Sequence, residues 1–345
     1  MKNEQALVAV QPDAGPLLEL QFVDGPAPEP EEEIPEEEQH PNFIESNTQA
    51  ISLEDLATRS IVPTFSDNSL TVSHQSFIAC VAKAASEIYG EITPIECRVS
   101  HPIIGRVPTA LHKKASELTD DEKTIFYQRM AFVSRVYGLV REIDGQSIHL
   151  VIGGVRAYNE DRLYNRKSPE KFKIFVGWQV KVCSNLCLSC DGFSGTIECM
   201  TEMDLYQKAL QLFSQFKPKQ EENLQLLQNL TTTRLSEDIF CKIIGRLRLY
   251  QALPTNEQKE LPEVILGDQA VNAAVRGYVS NPNFGRKEGE DGITCYGLSQ
   301  ILTEAVKSSY IDRWLERNLN AIDFSLGIQD ALNGNTESPY NWFLQ

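Results

Sequence analysis

Between Lys171 and Ser189 the chain alternates. Phe172, Ile174, Val176, Trp178, Val180, Val182, Leu186 and Leu188 occupy even positions, and lysine, glycine, glutamine, cysteine and asparagine hold most of the odd ones. Side chains in a strand point to opposite faces in turn, so this spacing predicts a strand with one apolar and one mixed face. It reads as the centre of an antiparallel sheet covered on one side only. Eighteen extended residues would span roughly 60 Å at about 3.3 Å each. The stretch is therefore expected to be two strands, or one strand bent by a bulge at Gly177.

The same pattern places the other elements. Phe77, Ile78, Val81, Ala85 and Ile88 fall on one helical stripe, which predicts a helix over 73–89 stopped by Gly90. Thr119 and Glu122 have capping-box spacing, which predicts a short helix towards Gln128. Met130 to Ile143 and Ser147 to Ile152 read as strands joined by an Asp144-Gly145 hairpin turn, with Gly153-Gly154 ending or bulging the second. Ser194 to Met200 reads as a further short strand. From about 202 the spacing is helical: Leu205 to Phe216, Gln220 to Leu230, a helix capped by Ser236, one opened by Asp268, one marked by Leu298, Ile301 and Leu302, and helical spacing from Ile311 to Leu332. The expected fold is α+β: an antiparallel meander with an N-terminal helix and a helical C-terminal half. The expected organisation is a tail over 1–48, a sheet domain over 49–200 and a helical region over 201–345 packing on the sheet, in one unit or two.

Charge refines that division. The net charge is −16 over 345 residues. Residues 1–50 hold twelve acids and one lysine, leaving 36 acids and 31 bases elsewhere, so most of the acidity belongs to the tail. Its core, PAPEPEEEIPEEEQHP, combines prolines with like charges and is expected to be disordered. No run of eighteen apolar residues exists, so no membrane span is expected. Eight cysteines without a signal-like N-terminus fit a reduced, cytoplasmic protein.

Candidate chemistry is sparse. Cys183, Cys187 and Cys190 have the C-x3-C-x2-C spacing of an iron–sulfur loop. Alternation places Cys190 on the opposite face from Cys183 and Cys187, and Ser189 stands where radical enzymes of that type carry an aromatic. The helical spacing after Cys190 leaves no alternating barrel for such an enzyme. A zinc site completed by Cys199 would be atypical in spacing. The cysteines are read as free thiols, with no metal or cofactor and no catalytic residue, and a cysteine-ligated metalloenzyme is the third choice of function. The five histidines are too far apart in sequence to form a helical metal pair, and there is no phosphate loop, dinucleotide fingerprint or nucleophile elbow.

A basic region is physically coherent. Residues 153–182 carry Arg156, Arg162, Arg166, Lys167, Lys171, Lys173 and Lys181 against three acids, a net of +4. Phe175 sits between Lys173 and Lys181 on the mixed face. Lysines for phosphates and an aromatic for base stacking predict a surface for single-stranded nucleic acid. The alternative is a regulatory or anti-defence adaptor that binds a protein partner through its acidic tail.

The segments RVSHPIIGRVP (98–108), EKTIFYQRMAF (122–132), VIGGVRAYN (151–159) and KVCSNLCLSCDG (181–192) resemble an uncharacterised bacterial family carried on mobile elements. The Val-Cys-Ser-Asn-Leu core (182–186) and the segment GLSQILTEAV (297–306) are similar to a wider group of phage- and plasmid-borne proteins. The resemblance spans about 75–330. It implies a cytoplasmic accessory protein of a phage, plasmid or conjugative element, and it supplies no catalytic residue. Cys183 and Asn185 form its most motif-like part, of unassigned role.

Overall fold

A computed structural model describes residues 41–59, 72–158 and 168–345. Residues 40–345 form one compact unit.

The core of the fold is an antiparallel sheet. Its strands are β1 (Thr48–Ala50), β2 (Glu96–Ser100), β5 (Met130–Ile143), β6 (Gln146–Arg156), β7 (Glu170–Val180), β8 (Leu186–Cys187) and β9 (Phe193–Cys199). They lie in the order β1-β2-β5-β6-β7, with β8 and β9 both pairing with β7. A separate ribbon joins β3 (Ile103–Arg106) to β4 (Lys123–Tyr127), and β10 (Arg234–Leu235) pairs with β11 (Ile293–Thr294). The expected hairpin is present: Asp144 and Gly145 both have positive φ, 51° and 72°, as a tight two-residue turn between right-twisted strands requires. The long alternating stretch is two strands, β7 and β8. The break falls after Val180, at a turn where Ser184 has φ 55°, and not at Gly177.

Helices α1 (Leu53–Arg59) and α2 (His74–Tyr89) lie between β1 and the rest of the sheet. After it come α3 (Glu202–Phe216), α4 (Gln220–Asn229), α5 (Glu237–Ala252), α6 (Thr255–Gln258), α7 (Asp268–Ser280), α8 (Cys295–Val306) and α9 (Ile311–Leu332). Ser73, Thr201, Ser236 and Thr294 cap α2, α3, α5 and α8 by accepting a first-turn N–H. The α+β class with a helical C-terminal half is therefore the observed one. The Thr119–Glu122 capping box does form, but it closes a single 3-10 turn and the chain leaves it as β4.

Both faces of the sheet are covered, which corrects the half-covered expectation. On one face Phe77 of α2 packs on Phe132 and Phe172, with ring centres 5.5 and 5.0 Å apart, and α3 lies beside α2. On the other, Trp314 of α9 meets Phe175 edge-on at 5.9 Å and Phe43 at 5.4 Å. Phe43 and Ile44 are fully buried there, so the ordered body begins before the expected boundary at 48. Residues 1–40, with the rest of the expected tail, lie outside the described residues.

Gly153 and Gly154 neither end β6 nor bulge it; the strand continues to Arg156. A Cβ on Gly153 would sit 2.6 Å from the Phe175 ring, and one on Gly154 would sit 2.5 Å from the Phe77 ring. Adjacent strand residues face opposite ways, so the glycine pair admits one aromatic ring on each side of the sheet.

Candidate functional site

The expected basic surface is divided by the sheet. Arg156 is fully buried under α2. It pairs with Glu170 at 2.5 Å, donates to the Lys171 carbonyl, and stacks 4.0 Å over Phe172 and 4.6 Å over Tyr158. Glu170 also accepts the Val72 N–H at 3.1 Å. Lys173 is buried on the opposite face, 2.7 Å from Glu316 of α9 and donating to the Asp312 carbonyl at 2.7 Å. Phe175 is fully buried between Gly153 and Trp314, so it offers no stacking platform. Lys171 is half-buried and Lys181 is exposed. Ten strand residues separate those two lysines by roughly 33 Å at about 3.3 Å per residue, too far to act as one contact. Arg162, Arg166 and Lys167 lie outside the described residues.

The two sequence motifs meet. The turn after β7 packs its Cys183–Asn185 segment against α8, which carries the GLSQILTEAV stretch. Asn185 is fully buried, and its Nδ2 donates to the Gln300 carbonyl at 3.0 Å and to Gln300 Oε1 at 3.3 Å. Gln300 Nε2 in turn donates to Cys187 Sγ at 3.2 Å. Lys307, just past α8, is buried. Its ammonium donates to the Cys183 carbonyl and to Glu304 Oε2, the latter at 3.0 Å. Its own carbonyl accepts the N–H groups of Glu45 and Ser46 at 2.9 and 3.1 Å, tying the N-terminal strap to the helix end.

This junction is a polar clamp. Burial pushes the Cys183 thiol up to about 12 and the Cys187 thiol up to about 11. Both are therefore protonated at neutral pH, which makes them poor nucleophiles. Cys190 is exposed and apart from them in environment. Among the described residues no three His, Cys, Asp or Glu side chains are grouped to hold a metal ion.

Beside the clamp lies a groove of about 450 Å³ between α7 and α8. Gln269, Asn272, Ala273, Arg276 and Gly277 recur at helical spacing and form one stripe of α7; Ile301, Glu304, Ala305 and Ser308 do the same along α8 and its exit. At Gly277 the helices close together, where a Cβ would lie 3.1 Å from Ile301. Glu45 of the strap completes the wall. The floor is aliphatic and the rim polar. Among the described residues the side chains of Arg276, Glu45 and Gln269 carry no hydrogen bond or ion pair. Sequence reasoning did not single out these residues. Arg276 carries no motif, and Glu45 is one of many tail acids until its backbone is seen bonded to Lys307.

Fold and groove together define a covered-sheet α+β protein with a small polar cleft in its helical half. The chain belongs to the family described as "Domain of unknown function, B. Theta Gene description (DUF3871)", whose model matches residues 31–344. That match extends beyond the 75–330 span of the sequence resemblance, into the end of the acidic tail. No curated protein matches the chain, and no solved structure does. Among the described residues no helix is long and apolar enough to cross a membrane.

Proposed function

We propose that this chain is a binding protein that works without covalent chemistry and seats its ligand in the groove between α7 and α8. The observation that carries this reading is the groove itself: about 450 Å³ of cleft whose rim holds side chains without partners among the described residues. The protonated thiols of Cys183 and Cys187 support a non-catalytic role for the adjacent clamp. Eight free cysteines support a cytoplasmic setting, and the resemblance of residues 75–330 to mobile-element proteins supports an accessory role on such an element.

The test is thermal melting of the full chain against metabolites of each charge class. A ligand that binds only the native state raises the melting temperature. We expect at least one class to do so, and the shift to vanish in Ala273→Trp, which fills the groove, and in Ser308→Trp. No shift from any class, or a shift that survives both substitutions, would overturn the reading.

A second reading, binding of single-stranded nucleic acid, is supported by the net +4 of residues 153–182. With Arg156, Lys173 and Phe175 buried, it rests on exposed Lys181, on Lys171 and on the segment holding Arg162, Arg166 and Lys167. Removing a cation that neutralises one phosphate should flatten the salt slope by about 0.7. Lys181→Ala should therefore change the slope, and Phe175→Leu should change neither slope nor affinity. Absence of any affinity at low salt eliminates this reading.

A further inference from the structure

The groove's two walls differ in chemistry. On the α7 side, Arg276 presents a guanidinium with no partner among the described residues. Asn272 lines the same side, and its Oδ1 is taken by Arg248, which leaves its Nδ2 as a donor. Asn281 follows the helix, and its Oδ1 accepts the N–H groups of Asn283 and Phe284 at 2.9 and 3.0 Å, which again leaves Nδ2. With Gln269, whose unpartnered amide can both donate and accept, that wall offers one cation and three amide NH2 groups against the single carbonyl of the Gln269 side chain. Such a set matches a carboxylate, which accepts a fork of N–H groups from arginine and further bonds from amides.

The facing wall is acidic. Glu45 has no ion-pair partner among the described residues, and Glu304 shares one oxygen with buried Lys307 at 3.0 Å. Carboxylates on this side match an ammonium. Between the walls, Ala273, Ile301 and Ala305 give an aliphatic floor with no aromatic ring among the groove's lining residues.

Resting on the groove reading above, we infer that the ligand is a small zwitterion, an amino acid or short peptide with free ends, its carboxylate at Arg276 and its ammonium at Glu45 and Glu304. A phosphate or dicarboxylate would meet two glutamates, and a polyamine would meet Arg276. A neutral sugar would leave the opposed charges unpaired and find no ring to stack on.

The inference is tested by isothermal titration of the full chain with L-glutamine and L-alanyl-L-alanine, and with two capped forms of the dipeptide. These are the N-acetyl derivative, which lacks the ammonium, and the C-terminal amide, which lacks the carboxylate. We expect one of the two zwitterions to bind, which decides between amino acid and peptide. Removing one charge-assisted hydrogen bond should weaken binding at least tenfold, so each capped form should bind at least tenfold more weakly than the parent if the peptide is the ligand. Arg276→Met should weaken the zwitterion tenfold or more and leave the amide form's weak affinity unchanged. Glu45→Gln should weaken the zwitterion and spare the N-acetyl form. Both residues are exposed, so neither substitution threatens the fold. If glutamine is the one that binds, the same two substitutions decide. Failure of both zwitterions up to 10 mM, or capped forms binding as well as the parent, would overturn the ligand class. A sugar, anion or nucleotide whose melting shift is lost in Ala273→Trp would overturn it too while leaving the groove as the site. No groove-dependent shift from any compound would remove both.

Discussion

Asn185 donates to the backbone carbonyl of Gln300 at 3.0 Å, across 115 residues of sequence. Both residues are fully buried, so neither group has water to fall back on. The Gln300 carbonyl also accepts the Thr303 hydroxyl at 3.1 Å, so the group left without a donor is Gln300 Oε1, and a buried acceptor left unpaired keeps the cost of its desolvation, about 1–3 kcal/mol. We expect Asn185→Ala to lower unfolding free energy by that amount. Asn185→Asp should cost more, because a carboxylate would face the oxygens of Gln300. Urea denaturation of the two variants measures both, and a shift below about 0.5 kcal/mol for the aspartate would count against the clamp.

The N-terminal strap belongs to the folded body, although composition assigns residues 1–48 to a tail. Phe43 and Ile44 fill the space between the sheet and Trp314. Deleting one large buried aromatic costs about 3–5 kcal/mol. A chain beginning at 49 should therefore melt well below one beginning at 41. Equal melting temperatures would show that the strap does not hold the second face.

Glycine substitutions should separate by environment. Gly153→Ala would bring a methyl within 2.2 Å of the Phe132 carbonyl oxygen and 2.6 Å of the Phe175 ring. Overpacking of this kind costs about 1–3 kcal/mol or more, and here backbone would have to move. Gly245, inside α5, has nothing within 4 Å of an added Cβ. Gly245→Ala should stabilise the protein by about 0.5–1 kcal/mol. Calorimetry on the pair gives opposite signs if the sheet is packed as described.

His74 is expected to make the protein acid-sensitive. Burial holds its imidazole down to about 3, opposed by the hydrogen bond to the Gln128 carbonyl and aided by the Arg156 cation. The folded state therefore keeps the ring neutral, while the unfolded chain protonates it near 6.5. Its contribution is complete above pH 6.5 and is lost as pH falls towards 3, with a slope of about 1.4 kcal/mol per pH unit. His74→Gln should remove that one-proton slope between about pH 6 and 4.5. An unchanged pH profile would place the acid sensitivity elsewhere.

The sheet was legible where one face is apolar throughout. Phe172 to Val180 announces β7 by period two, and Asp144-Gly145 announces its turn by residue type. The other face was misread because its polar residues look solvated until a partner arrives. Lys173 is neutralised by Glu316, 143 positions later, and no local pattern encodes that pairing. Gly153-Gly154 carried the same ambiguity. In sequence the pair reads as a break, whereas in space it makes room for Phe77 and Phe175. The groove was invisible for a related reason, since its residues come from the strap, α7 and α8, and acquire meaning only as opposing walls.

α9 has a consequence for how the chain is made. Its first half covers Phe175 and pairs with Lys173, and its second half carries Ile322, Phe324 and Ile328 into the helical core. The bond from Lys173 to the Asp312 carbonyl spans 139 residues. At about 5–20 residues per second, a ribosome needs on the order of ten seconds to synthesise that interval. During it, β7 lacks the α9 cover of its second face, and Phe175 and Lys173 wait for Trp314 and Glu316 to be made. The nascent protein must therefore spend those seconds as an incompletely covered sheet, the state in which strand aggregation and chaperone capture compete with completion.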